Sequence, residues 1–289
     1  MSDFVTQRGN VASVRIITDN GCDLPEELLA ANSITVVPLD VRLGDTPAEE
    51  LRAVSAERFW ELARRSPALA ETSAPSPGAF SAAYAAASAA GDAGAVCVAL
   101  SSGLSATYQA AQSGTSAAPE GFPVAVVDSL SATMGEGLLV LEAAELAASG
   151  AGTAAISDAL IATRDKIKVF GTLDTLEYLK RGGRIGSAQA FLGSLLSIKP
   201  VVEVRNGVVE AESRQRTRAR SLDYLASKVA SLGTLKRLAV CHADATDVGE
   251  MLDRLSPIFP SEETIVAYIG PIIGAHTGPG TIGVAALRR

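Results

Sequence analysis

A chain of 289 residues exceeds the usual single domain, so one large or two medium units are expected, each able to bury a real core. Its 47% hydrophobic and 20% charged residues and a mean hydropathy of +0.24 exclude a disordered chain, and a net charge of −7 speaks against wholesale binding of nucleic acid. No apolar run reaches the ~18 residues of a spanning helix, and the first residues hold no apolar signal core, so a cytoplasmic protein without stable membrane insertion is expected.

Ala12 to Thr18 is a β-branched run closing on Thr18-Asp19-Asn20-Gly21, a strand and its turn. Asp23, with Pro25 between and Glu26 three residues on, has the spacing that caps a first helical turn, and Ile34 to Leu39 reads as a second strand. Strand, helix, strand is the parallel crossover unit. It puts Asp19 and Cys22 at the carboxyl edge of the first strand, where open α/β sheets bind ligands. Cys22 is a candidate thiol there, though no basic neighbour in the sequence lowers its pKa. Cys97 and Cys241 sit in apolar runs as core residues. The odd number and wide spacing of the cysteines indicate neither a disulfide framework nor a metal site.

Ser55 to Arg65 reads as an amphipathic helix carrying Phe59, Trp60 and Leu62. Glu71 to Gly78 reads as a polar loop in which Ser76 caps and Pro77 opens the next helix, leaving the Thr72 and Ser73 hydroxyls free outside its entry. Ala95 to Leu100 is a buried strand, and Ser101 to Thr107 follows as a hydroxyl-rich turn into a helix. The unpaired amides and dipole of such a turn favour a negative group. One serine turn is as a rule only a cap, but two such places, at Thr72 and Ser105, point to an anion site. Pro123 to Asp128 is a further strand, and Met134 to Ala148 a long helix whose leucines form an apolar stripe. About five strands are thus expected in the first half. The Gly150-Ala151-Gly152 break and the helix after it suggest an N-terminal α/β domain over 1–160 and a C-terminal one over 161–289.

Val169 to Leu173 opens the strands of the second half. Beyond it, paired glycines end a helix at Leu176 to Gly186 and expose Arg181 and Arg184. Ala188 to Ile198 reads as a helix apolar on most faces, either buried or lining a cavity. Asn206-Gly207 is a tight hairpin turn, which with the strands around it and near Leu238 to Cys241 gives a mixed sheet. Arg214, Arg216, Arg218 and Arg220 form a basic run entering a helix, a solvated face or a docking surface. Last comes Ile269 to Gly283, where five glycines and two prolines read as turns at the lip of a sheet around His276, one of two histidines. The plain alternative is a turn whose imidazole only satisfies a backbone group.

Gly278 to Gly283 matches the dinucleotide fingerprint by letters, but a strand-like ending follows it where a helix is required. No phosphate-loop lysine pattern is present, and His242 and His276 lack the spacing of a zinc pair. A serine-dependent acyl hydrolase or acyltransferase using Ser105 and His276 stands as an alternative, because sequence distance does not exclude contact. A transcription regulator using the arginine run would need to overcome the acidic total.

Taken in order, Thr18-Asp19 with Asp23-Leu24-Pro25, Thr72-Ser73, Ser101 to Tyr108, Val127-Asp128-Ser129, Leu179 to Gly186, Gly193 to Pro200 and Ala275 to Gly278 resemble the DegV family of bacterial fatty-acid-binding proteins. The resemblance implies two α/β domains, the first with a mainly parallel sheet and crossover helices and the second with a mixed sheet, and a ligand cavity between or within them. It implies a long-chain fatty acid as ligand, no cofactor, and a non-catalytic role in which a partner ATP-dependent fatty acid kinase makes the acyl phosphate. By position, Thr72 and Ser105 would hold the carboxylate, His276 would join them, and Arg184 would assist from further away. The sequence departs from the family's habit at Asn20-Gly21-Cys22, Ala74 and Ala106, which bears on pocket size and tail preference.

Overall fold

Runs of apolar residues buried on both faces form the two central strands of the first sheet, the pattern of strands covered by helices on either side. The computed structural model describes residues 13–47, 50–51, 54–66, 68–192 and 198–289. In chain order the first half contains β1 (Val14–Asp19), α1 (Glu26–Ala31), β2 (Thr35–Val37), β3 (Asp40–Leu43), α2 (Ala56–Arg65), β4 (Ala70–Ser73), α3 (Pro77–Ala89), β5 (Gly94–Ala99), α4 (Thr107–Gly114), β6 (Val124–Asp128), α5 (Met134–Ala148) and α6 (Thr153–Arg164). Four of these strands form a parallel sheet in the order β2-β1-β5-β6, while β3 and β4 pair as a separate antiparallel ribbon. The second half contains β7 (Ile167–Thr172), α7 (Glu177–Arg181), β8 (Lys199–Arg205), β9 (Val208–Gln215), α8 (Arg218–Ala230), β10 (Leu235–His242), α9 (Val248–Leu255), β11 (Ile265–Tyr268), α10 (Pro271–Thr277) and β12 (Ile282–Arg288). Its strands make a mixed six-stranded sheet, β11-β10-β12-β7-β8-β9. Asn206 and Gly207 turn β8 into β9 with φ of 51° and 81°, the left-handed pair that the hairpin demands.

Helix α5 joins the two sheets. It packs on β1 and β5 of one and on β7, β10 and β12 of the other, so its apolar surface is no stripe: eleven of its fifteen residues are buried. Val96 and Val98 of the parallel sheet, Leu138 and Leu139 of α5, and Cys241 and Leu287 of the mixed sheet accordingly belong to one continuous core. Close approach depends on Gly135, where a Cβ would overlap both Ser131 Oγ and Val169 Cγ2. Gly135→Ala is therefore expected to lower the unfolding free energy by about 1–3 kcal/mol through overpacking, read as a shifted urea midpoint.

Several local expectations give way to tertiary contacts. Asp23 does not cap α1, whose N-cap is Pro25; Asp23 adopts a left-handed backbone (φ 51°) and its Oδ1 accepts from Gly270 N at 2.9 Å instead. Thr72 lies in β4, paired with Val41, and not in a free polar loop. The turn-rich stretch around His276 folds as α10, opened by Pro271 at its first turn and closed by Gly278 at φ 77°. Gly186–Phe191 is a 3-10 helix in place of the expected helix from Ala188, and 193–197 lie outside the described residues. The basic run is half consumed internally: Arg214 stacks 4.6 Å over Phe191 and Arg218 grips Asp247 at 2.7 and 2.9 Å, while Arg216 and Arg220 are exposed. Cys22 is buried like the other cysteines, and burial together with Glu136 pushes its thiol well above the usual range, which removes it as a reactive group.

Candidate functional site

Thr72, Ser105, Arg184 and His276 line one cavity. They reach it from four places in the chain: β4, the turn between β5 and α4, the loop after α7, and α10. Ile269, Ile272 and Ile273 roof it from α10 and its entry, Val202, Val204 and Val209 wall it from the β8–β9 hairpin, and Leu39, Leu100 and Leu104 close it on the side of the parallel sheet. No aspartate or glutamate among the described residues lines it. The cavity holds about 870 Å³ outside any protein atom, part of it open to solvent. Most of the lining is apolar, as an alkyl chain requires.

Each side chain is positioned by identifiable contacts. Helix α10 is held at its start by Asp23 on Gly270 N and by the Trp60 indole, which donates to Ile269 O at 3.0 Å. Gly274 lets α10 lie against the Trp60 ring, since a Cβ there would sit 2.5 Å from it. The turn carrying Ser105 is fixed to the hairpin, because Ser101 Oγ donates to Gly207 O at 2.7 Å. Arg184 ties the same turn to the loop after α7, donating from Nε to Leu104 O at 3.0 Å and from Nη1 to Gly182 O at 2.6 Å.

Electrostatics then set the proton positions. His276 Nε2 lies 3.0 Å from Thr72 Oγ1, while Nδ1 is buried without a partner, facing the Cα of Gly182. Burial and then the positive charge of Arg184 depress the imidazole to about 4, so it is neutral near pH 7. An orphaned buried N–H costs more than an orphaned lone pair, which puts the single proton on Nε2 and makes His276 the donor to Thr72. The Thr72 hydroxyl proton is then free to point into the cavity. Ser105 is primed in the same way: its Oγ accepts from Thr107 N at 3.3 Å and lies 2.8 Å from Thr107 Oγ1. With Thr107 as donor both Ser105 lone pairs are filled, which leaves the Ser105 proton for a ligand.

One expectation fails at this turn. The amides of Ser102, Gly103, Leu104 and Ser105 are taken up by Asp128, the Ser101 hydroxyl and the Ser101 carbonyl, so they form no open anion nest.

A family model described as an uncharacterised protein of the DegV family matches residues 13–289. The chain belongs to the DegV family. It is 37% identical to a DegV domain-containing protein of Streptomyces coelicolor over 96% of this chain and 99% of the other, and 31% identical to Protein DegV of Bacillus subtilis over 94% and 98%. Among solved structures, one described as the fatty acid binding of a DegV family protein from Thermus thermophilus superimposes with a TM-score of 0.85 at 32% identity, covering 96% of this chain and all (100%) of that one. Another, described as DegV, a fatty acid binding protein from Bacillus subtilis, gives a TM-score of 0.84 at 29% identity over 96% and 100%.

In this DegV chain three positions matter that the sequence reading passed over. Thr107 orients Ser105, and its place two residues on is the spacing of a local hydroxyl turn, a signal that was available. Gly182 leaves room for the His276 ring, a contact across most of the second half with no local signature. Thr133, which lines the cavity, holds the unusual backbone angles φ 48° and ψ −142° with its hydroxyl buried near Asp23. Among the described residues no helix is long and apolar enough to cross a membrane, and no group of histidine, cysteine, aspartate and glutamate is arranged to hold a metal ion.

Proposed function

We propose that this protein binds one long-chain fatty acid in the cavity and presents its carboxylate to a separate ATP-dependent fatty acid kinase. The observation that carries the reading is a largely apolar cavity, with no carboxylate among its described lining residues, on which the hydroxyls of Thr72 and Ser105 converge with Arg184. Each buried methylene contributes roughly 0.8 kcal/mol, so a long acyl tail supplies on the order of 10 kcal/mol before association losses. The tail drives affinity. A carboxylate drawn inside costs several kcal/mol unless donors receive it, and Thr72 and Ser105 are built to donate, with Arg184 adding charge.

Both solved DegV relatives described above are named for fatty acid binding, which supports carrying that ligand to this chain. The kinase partner is carried over from the family resemblance: the sequence has no phosphate-loop lysine pattern, so a separate protein would supply the ATP-using site. Serine hydrolysis is disfavoured by geometry, because His276 is engaged with Thr72 and Ser105 with Thr107.

Extraction of the purified protein with organic solvent, followed by mass spectrometry, is expected to release about one equivalent of a long-chain fatty acid. A delipidated protein that takes up neither oleate nor palmitate would remove the proposal.

A further inference from the structure

The mixed sheet carries, beneath the cavity, a row of four residues in register on four neighbouring strands: Cys241, Gly283, Gly171 and Val202. All of them line the cavity. Two glycines side by side in the interior of a sheet call for a cause, since glycine weakens a strand and leaves nothing to pack. For Gly283 the cause is a neighbour, as a Cβ there would lie 2.7 Å from Cys241 Sγ.

Gly171 has no such neighbour. A Cβ built on it would approach nothing nearer than Ile282 O at 3.7 Å, then Gly283 Cα and Val202 Cγ2 at 4.0 Å, all ordinary contacts. Its φ lies outside the left-handed region, so the backbone does not require glycine either. Val169, two residues back and therefore on the same face, lines the cavity too, so a side chain at 171 projects into that space. What the missing side chain provides is a shallow trough across the strands.

We infer that Gly171, flanked by Gly283, is a specificity-determining residue that sets how long an acyl chain the cavity accepts, by letting the chain lie directly on the sheet. The inference rests on the fatty-acid reading above and adds to it the residue that limits ligand length. A methyl group at 171 fills empty space in the unliganded protein and favours the strand, so it leaves the fold intact or strengthens it. In the complex the same methyl competes with the ligand. Stability and affinity therefore move in opposite directions, which a purely structural role for the glycine does not produce.

The experiment uses delipidated wild type, Gly171→Ala and Gly171→Val, with decanoate, laurate, palmitate and stearate as probes in titration calorimetry and with thermal unfolding of each protein alone. Gly171→Ala is expected to melt no lower than wild type, to bind stearate about tenfold or more weakly, and to hold decanoate within about twofold. Gly171→Val is expected to lose palmitate and stearate and keep the shorter acids. A wild type that binds long acids, with Gly171→Ala binding every length as wild type does, overturns this inference alone. So does a uniform loss across chain lengths accompanied by a lowered melting temperature. A wild type that binds none of the four acids overturns the fatty-acid reading and the inference with it.

Discussion

Thr72→Val is expected to weaken the binding of palmitate or oleate by about ten- to hundredfold with little change in thermal stability. Valine keeps the shape of threonine, so β4 and its pairing with β3 survive, but the hydroxyl that receives His276 Nε2–H and passes a proton toward the cavity is gone. A hydrogen bond to a charged group contributes roughly 1.5–3 kcal/mol, and tenfold in affinity corresponds to about 1.4 kcal/mol. Two losses add here, since the carboxylate loses a donor and the imidazole N–H is left facing a methyl. Ser105→Ala removes the other hydroxyl and is expected to act to a similar degree. It also leaves Thr107 N and Thr107 Oγ1 without their partner, so a stability loss of about 1 kcal/mol is expected beside it, while the bond from Ser105 N to Ser101 O at 3.0 Å keeps the turn. Titration calorimetry of delipidated variants measures both. If each binds within about twofold of wild type, the head-group assignment is wrong, whatever the tail does.

What the sequence made legible was local. The Asn206-Gly207 hairpin, the Ser76 cap with Pro77 behind it, and helix α5 from Met134 to Ala148 are each specified by neighbours within a few residues, and each forms where its pattern lies. The site residues were legible as types and as an ordered set of motifs, and the structure brings Thr72, Ser105, Arg184 and His276 to one cavity.

What was not legible depends on partners far away in the chain. Thr72 becomes part of a strand only because Asp40–Leu43 pairs with it, and Asp23 leaves α1 uncapped because Gly270 offers an amide from the other end of the protein. Helix α10 contains Gly274, a poor helix former, and its intrinsic preference is overridden by the fit against Trp60. The apolar stripe read for α5 was half of the answer. A second sheet covers the other face, and nothing within the helix itself says so.

That second covering also creates the largest pH effect expected of this protein. Asp19, Asp23 and Glu136 are all buried near the junction of the two sheets, with the Thr18 hydroxyl on Glu136 Oε1 at 3.1 Å. Burial raises Asp19 to about 6 although the amides of Leu100 and Gly21 oppose it, and burial raises Asp23 to about 7 although Thr133 and Gly270 oppose it. Glu136 is pushed well above the carboxylate range by burial and by Asp19. A carboxyl whose pKa is higher in the folded than in the unfolded chain favours folding most when protonated. Its contribution is complete below the unfolded value of 3.8 and is lost as pH rises to the folded value. His276 opposes this, because its folded value of about 4 lies below the 6.5 of a solvated imidazole, and its burial destabilises progressively as pH falls between them. From pH 8 down to 6 the acids dominate, since Asp23 takes up its proton across that window and Asp19 and Glu136 add to it, while His276 opposes them mainly below its unfolded value of 6.5. The unfolding free energy is therefore expected to rise by about 1–2 kcal/mol from pH 8 to 6. Asp23→Asn keeps an oxygen for Gly270 N and removes the charge, so it is expected to flatten the slope and to stabilise the protein at pH 8 by on the order of 4 kcal/mol. Urea unfolding at pH 6, 7 and 8 measures both quantities. An unaltered slope in Asp23→Asn would mean that this carboxyl is already ionised in the folded protein and that some other group pairs with its charge.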